Sequence, residues 1–172
     1  MDTTGHTVTT TPRLGDYTID TDSSSISFRS RHLFGLLPVR GTFGLRVGTV
    51  EVTAPLDTSR IRVAIEAASF STGHTRRDTD VRSARFLDTD RYPLITFIAD
   101  RVLGTTVSGT LTVRGVSRPV RLTVVDSEVF ADAFTLRAVT RVDRTDFGVT
   151  AARGLAGRRL DLTLEVCCVR AA

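Results

Sequence analysis

The sequence predicts an all-β fold: about eight antiparallel strands in a closed barrel or a sandwich, with one short helical insertion around residues 75–86. Three observations carry this. From Tyr17 onward, apolar and polar residues alternate with period two through run after run. Gly, Asp and Pro punctuate those runs, at turns such as Leu103-Gly104 and Arg114-Gly115. One stretch, Thr75 to Phe86, contains no alternating apolar run at all. Period-two alternation places one face of a strand in a core and the other in water.

Residues 1–14 are Thr-rich and polar, with nothing to bury, and are expected to form a disordered tail. Residues 15–172 then form a single domain. In the first long run Ile26, Phe28, Ser30 and His32 share one face, and Ser25, Ser27, Arg29 and Arg31 the other. Val39, Gly41, Phe43, Leu45 and Val47 repeat the pattern, with Arg40, Thr42, Gly44 and Arg46 opposite. Ile61, Val63, Ile65 and Ala67 alternate with Arg60, Arg62, Ala64 and Glu66. Further runs are Leu94–Ala99, Val107–Val113, Val120–Val125, Phe134–Val142 and Leu160–Val169. The insertion has Val81 and Ala84 spaced by three among Arg76, Arg77, Asp78, Asp80, Arg82 and Arg85. That fits a short solvated helix, with Thr72 or Thr75 as its N-cap. Tyr92-Pro93 ends the insertion and opens a strand, a position that tolerates Pro. Pro119 is expected at a strand start or edge for the same reason. Phe147-Gly148 places a small residue where another backbone or a ligand could approach closely.

The chain has 172 residues and a mass of 18.7 kDa, enough for one domain with its own core. Its composition excludes a collagen-like chain, a disulfide scaffold and a wholly disordered chain. All 23 basic residues are Arg, and the net charge is +4 with a pI near 10.0. Arg pairs bidentately with phosphate, which raises nucleic acid as a partner. The distribution argues against it, because residues 1–86 and 87–172 each carry a net charge of +2. A nucleic-acid footprint is usually a stripe or an end. On the strands Arg29, Arg31, Arg40, Arg46, Arg60 and Arg62 fall on the outward faces, so they read as the wet coat of a barrel. The 27 Thr supply β-branched content suited to strands. Cys167 and Cys168 are neighbours on a strand, so they point to opposite faces and read as free thiols. The N-terminus has neither a basic nor an apolar leader region, and no stretch approaches a membrane span. A cytoplasmic, soluble protein is the expectation.

Chemistry-bearing constellations are few. His74 and Asp78 have the i, i+4 spacing of two ligands on one helix face. No third ligand accompanies them, and Arg76 and Arg77 would repel a cation, so no metal is expected. Asp146-Phe147-Gly148 matches the metal-binding tripeptide of kinases, but no glycine-rich phosphate loop and no Lys accompany it. No Gly-x-Ser-x-Gly elbow and no Ser/His/Asp set stands out. No catalytic residue and no cofactor is therefore expected.

Several segments together resemble the YceI-like family, the lipocalin-like polyisoprenoid-binding proteins of bacteria. Tyr17-Thr18-Ile19-Asp20 and Ser25 to His32 are similar to the family's opening, and Val39-Arg40-Gly41-Thr42-Phe43 to its second strand. The most specific signature is Ser71-Thr72-Gly73-His74-Thr75-Arg76-Arg77-Asp78, followed by Arg82 to Asp88 and Tyr92-Pro93-Leu94-Ile95-Thr96-Phe97. Ser108 to Val120 and Arg144-Thr145-Asp146-Phe147-Gly148 complete the set, in order, over about residues 16–168. The chain departs from the family pattern with Ser23-Ser24 in the first loop, His74 after Thr-Gly, and Asp80-Val81 after Arg-Asp-x.

The resemblance implies an eight-stranded antiparallel lipocalin-like barrel. It also implies an apolar channel inside that barrel, holding a long isoprenoid, quinone or fatty-amide ligand without catalysis. The lining would come from one face of each strand: Ile26, Phe28, His32, Phe43, Ile65, Phe97, Leu111, Val113, Leu122, Val124, Leu136, Phe147 and Leu162. Ordinary core packing is the alternative for each of them. Arg77, Asp78, Arg144 and Asp146 are candidates for a polar mouth, where an Arg could pair with a phosphate or quinone oxygen. Structural pairs or turn caps are the competing reading. An enzyme acting on a lipid-like or quinone substrate, and an interaction protein with a filled core, remain alternative functions. The partner expected is a hydrophobic small molecule, with no nucleic acid, no stable membrane insertion, and a homodimer compatible with either reading.

Overall fold

Residues 11–32, 36–152 and 154–172 are described by the computed structural model; of the expected tail over residues 1–14, residues 1–10 lie outside them, while the Arg13 and Leu14 carbonyls accept from Tyr17 and Arg170. The alternating runs become nine strands: β1 (Gly15–Ile19), β2 (Ser25–His32), β3 (Leu37–Val52), β4 (Arg60–Ser71), β5 (Leu94–Leu103), β6 (Thr106–Val113), β7 (Val116–Val129), β8 (Ala133–Asp143) and β9 (Arg159–Arg170). Helix α1 (Thr75–Arg82) lies between β4 and β5. Strands β2 to β9 close a ring of eight, each pairing antiparallel with its neighbours, and β2 pairs with β9 to complete it. The short β1 sits between the far ends of β3 and β9 and pairs with both. The fold is therefore the expected closed eight-stranded antiparallel barrel with one helix, and β1 (Gly15–Ile19) is one strand more.

Local chemistry sets the register. Arg114 and Gly115 both adopt positive φ, 51° and 73°, so a two-residue turn joins β6 to β7 with the twist its strands need. On β3 the expected face holds from Val39 to Leu45 and then reverses. A register shift between Leu45 and Val47 turns Val47 outward, 54% exposed, and brings Gly48, Val50 and Val52 inside. One inserted residue exchanges the two faces of a strand, so Val47 departs from the expected alternation. Strand β4 does the same, burying both Ala67 and Phe70. Strand β7 pairs with β8 only from Thr123 onward, so Pro119 lies upstream of that ladder on a local strand edge, the second of its two expected positions.

The insertion is shorter and tighter than expected. Helix α1 ends at Arg82, where Ser83 turns to extended backbone and its hydroxyl bonds the Asp80 carbonyl. Its N-cap is His74 rather than Thr72 or Thr75: the ring Nδ1 accepts from the Arg77 amide at 3.2 Å. Gly148 has φ 75° and nothing within 4 Å of where a Cβ would stand. Its role is the left-handed turn after a 3-10 turn at Arg144–Phe147, not the expected close approach.

One end of the barrel is sealed. Tyr17, Ile19, Val50, Val52, Phe134 and Cys168 form a buried cluster there, with the Tyr17 and Phe134 rings edge to face at 5.0 Å. At the opposite end β7 and β8 part, and Phe86, Phe147 and Val149 pack with Val116, Val120 and Val142 across the gap. The Thr140 hydroxyl bridges the two strands by donating to the Arg121 carbonyl at 2.8 Å.

Candidate ligand cavity

Because the inward faces carry medium-sized apolar side chains around eight strands, the ring leaves space at its centre. A cavity of about 300 Å³ runs inside it. Its deep end is lined by Ile19, Val50, Val107 and Cys168, beside the sealed base. Its middle is lined by Ile26, Phe43, Ile65, Phe97, Leu111, Val113, Leu122, Val124, Leu136 and Leu162. Towards α1 the walls are Phe28, Phe70, Val81, Phe86, Leu87 and Phe147. Of the lining side chains expected from sequence, the structure places twelve around this space. The side chain of the thirteenth, His32, lies outside the described residues.

Polar groups are confined to the α1 end and to Thr140. Ser30, Arg31, Arg77 and Arg144 line the cavity there, and Arg31 is solvent-exposed, so the cavity meets water beside it. This end is the mouth. Arg77 Nε donates to Thr72 Oγ1 at 2.9 Å, while its two terminal nitrogens have no hydrogen-bond partner among the described residues. Arg144 is used differently. Its Nε, NH1 and NH2 donate to the carbonyls of Gly157, Val149 and Ala156 at 2.8, 2.8 and 3.2 Å. Its guanidinium also lies over the Phe86 ring. The side chain thereby pins the loop that follows Phe147.

The two acids expected at the mouth stand elsewhere. Asp78 is buried and accepts from the Thr72 amide at 3.0 and 3.1 Å and from the Thr72 hydroxyl at 2.5 Å. Burial alone would push its carboxyl up. The Thr72 hydrogen bonds and the charges of Arg82 and Arg77 outweigh that and hold it below its ordinary value. Asp146 is exposed and does not line the cavity. The reason is local: Asp78 ties the segment before α1 to the helix, and Asp146 occupies the solvent side of the 3-10 turn that buries Phe147. His74, as a cap, and Asp78, as an acceptor of Thr72, are both committed to holding the start of α1. No group of three or more His, Cys, Asp or Glu residues with metal-ligand geometry occurs among the described residues.

The inner surface offers little reactivity. Its ionisable groups among the described residues are three Arg and the Cys168 thiol. Burial pushes that thiol up to about 12, with a smaller push from Cys167, so it stays protonated. Cys167, on the opposite face of β9, is half-buried, and both cysteines are free.

Several lining residues were not singled out from sequence. Phe70 and Val50 lie beyond the register shifts on β4 and β3, where strict alternation misleads. Val81, Phe86 and Leu87 belong to the charged insertion, where their signal is being the large apolar residues in that stretch.

The YceI-like domain profile matches residues 17–167. The chain belongs to the YceI-like family. It is 32% identical over 165 residues to Protein YceI of Escherichia coli O6:H1, covering 88% of this chain and 85% of that protein. It is 29% identical over 168 residues to a UPF0312 protein of Azotobacter vinelandii, covering 90% and 87%. Among solved structures it resembles Burkholderia cenocepacia BcnA, with TM-score 0.70 and 20% identity over 87% of this chain and 98% of that one. A polyisoprenoid binding domain from Saccharophagus degradans, implicated in plant cell wall breakdown, gives TM-score 0.70 at 16% identity over 92% and 100%. At these identities the structural likeness speaks to the YceI-like barrel itself. No helix among the described residues is long and apolar enough to cross a membrane.

Proposed function

We propose that this YceI-like chain is a non-enzymatic carrier that holds one long apolar molecule, of isoprenoid, quinone or fatty-amide type, along the barrel interior. The observation that carries the reading is the cavity: apolar along its length from Cys168 to Phe28, and polar only at Thr140 and at the mouth. The polyisoprenoid named for the Saccharophagus degradans domain supports the ligand class. Removing the ligand's apolar surface from water supplies the affinity, at about 25 cal/mol per Å² as an upper guide. The expected lining residues, His32 included, are the proposed contacts. The terminal nitrogens of Arg77, with Arg31 also lining the mouth, would receive a polar head group. Asp78 shapes the mouth from outside the cavity, and Arg144 forms part of its wall while holding the loop after Phe147.

The absence of reaction is part of the proposal. It rests on a lining whose only described ionisable groups are cationic or a protonated thiol, with no general base among them. A homodimer would leave the reading unchanged, because mouth and cavity are complete within one chain. A reducing, cytoplasmic setting is proposed from the two free thiols.

The test is native mass spectrometry of the protein purified from a bacterial host, followed by denaturation and solvent extraction. The expected result is a stoichiometric hydrophobic adduct of several hundred daltons that is released on unfolding. Repeated failure to find or load an isoprenoid, fatty amide or quinone would overturn the carrier reading.

A further inference from the structure

The net charge is even along the chain but polarised along the barrel. At the mouth end, residues 30–32, 36–39, 72–93, 112–118, 142–152 and 154–159 carry eleven arginines against six acids. At the sealed end, residues 11–26, 50–61, 100–107, 126–134 and 168–172 carry four arginines against nine acids. Antiparallel strands explain the contrast. Consecutive turns lie at opposite ends and every second one returns the chain to the same end, so alternating basic and acidic connections sum to a dipole that a count along the sequence averages away. The basic end is also the one into which the cavity opens, and exposed leucines stand on it: Leu36 is 79% and Leu155 53% exposed. Exposed apolar residues occur at the sealed end too, Leu103 and Phe130 among them, but there they accompany excess negative charge.

We infer that the mouth end docks on a lipid bilayer bearing anionic head groups, presenting the cavity opening directly to the membrane. The docking rests on the carrier reading for its purpose. A long apolar molecule crosses water at high cost, and a mouth apposed to the bilayer removes that step. Exposed arginines such as Arg76, Arg118 and Arg159 supply the attraction, each worth a measurable share near an anionic surface. The leucines can enter the interface between head groups. A nucleic acid would meet the same charge, but exposed leucines beside the opening of an apolar cavity fit lipid better than phosphodiester backbone. At the sealed end the acids would repel the same membrane, so the molecule approaches in one orientation.

The test compares binding to sedimenting vesicles of equal phosphatidylglycerol and phosphatidylcholine with binding to pure phosphatidylcholine. At about 20 mM salt the anionic vesicles should bind at least about tenfold more tightly, and the difference should collapse near about 0.5 M salt. The double variant Arg76→Glu with Arg159→Glu should lose at least about tenfold in that binding. Arg60→Glu with Arg101→Glu makes the same change in net charge at the sealed end and should stay within about twofold. Uptake of the neutral apolar probe 1-aminoanthracene, added without vesicles, checks that both variants fold and keep their cavity. Equal binding to both vesicles, equal loss in both variants, or retention on duplex DNA with none on vesicles would overturn the inference. If vesicle binding fails while the probe still enters, docking falls and the carrier reading stands. Vesicle binding as expected, with neither the probe nor any lipid entering, overturns the carrier reading and, with it, docking as a step in ligand transfer.

Discussion

At the scale of single residues, the barrel separates side chains that face the cavity from those that face water. Phe97 is 7% exposed and lines the middle of the cavity, whereas Arg46 reaches out to pair with Glu66 at 3.4 Å. Phe97→Arg should abolish uptake of an apolar ligand, because it places a charge in an apolar enclosure. Arg46→Ala should leave uptake unchanged, since an exposed ion pair contributes little. Fluorescence titration of both proteins, with circular dichroism to confirm folding, checks the pair; equal uptake would refute the face assignment. Asp78 makes a second prediction. Its carboxyl sits below its ordinary value of 3.8, so its stabilising effect is present above that pH and is lost as pH falls through the depressed native value. Asp78→Asn should cost about 1–2 kcal/mol at neutral pH, from the lost charge-assisted bonds to Thr72. Urea unfolding of the two proteins should show that gap closing below the ordinary carboxylate range. A gap that persisted unchanged in acid would sink the assignment.

At the scale of elements, glycines and register shifts decide how strands meet. Gly109 on β6 faces Ala99 on β5, and a Cβ there would stand 2.5 Å from the Ile98 carbonyl oxygen and 2.7 Å from the Phe97 ring. Neither neighbour gives way cheaply: one is backbone in the ladder, the other a ring lining the cavity. Gly109→Ala should therefore destabilise the barrel by about 1–3 kcal/mol, read as a lower denaturant midpoint. The insertion works in the opposite sense, gaining its order from polar bonds. Asp78 ties α1 to Thr72, and Arg82 NH2 reaches the Phe70 carbonyl at 2.7 Å, which seats the helix on the end of β4. Sequence foresaw a solvated helix here. It could not foresee that the turns after Arg82 would swing Phe86 and Leu87 over the cavity, because that depends on where β5 and β6 place their ends.

At the scale of the whole molecule, cavity and charge polarity belong together. An empty apolar enclosure forfeits packing, so occupancy should stabilise the fold. Protein stripped of lipid by denaturation and refolding should melt at least about 5 °C below the loaded form, since a ligand at a hundredfold excess over its Kd contributes about 2.7 kcal/mol. Calorimetry before and after reloading checks this, and identical melting would count against a ligand in the cavity. Much of this architecture was legible without coordinates. Period-two alternation determined that strands would have a wet and a dry face, and the turn residues determined where they reverse. The inward identity of Ile26, Phe28, Phe97 and Leu111 followed, because face is a local property of a strand. Val47 and Phe70 did not follow, because a register shift is chosen by the partner strand. Whether the dry faces would fill their own centre was a global matter of strand number and side-chain volume, and only the closed ring settled that they leave a cavity. The roles of Arg77 and Arg144 parted for a similar reason: identical side chains in similar motifs, one with terminal nitrogens at the mouth and one bonded to three carbonyls of the loop that follows its own turn. The charge was fully present in the sequence as an even count, and only antiparallel winding sorted it into a basic mouth and an acidic base.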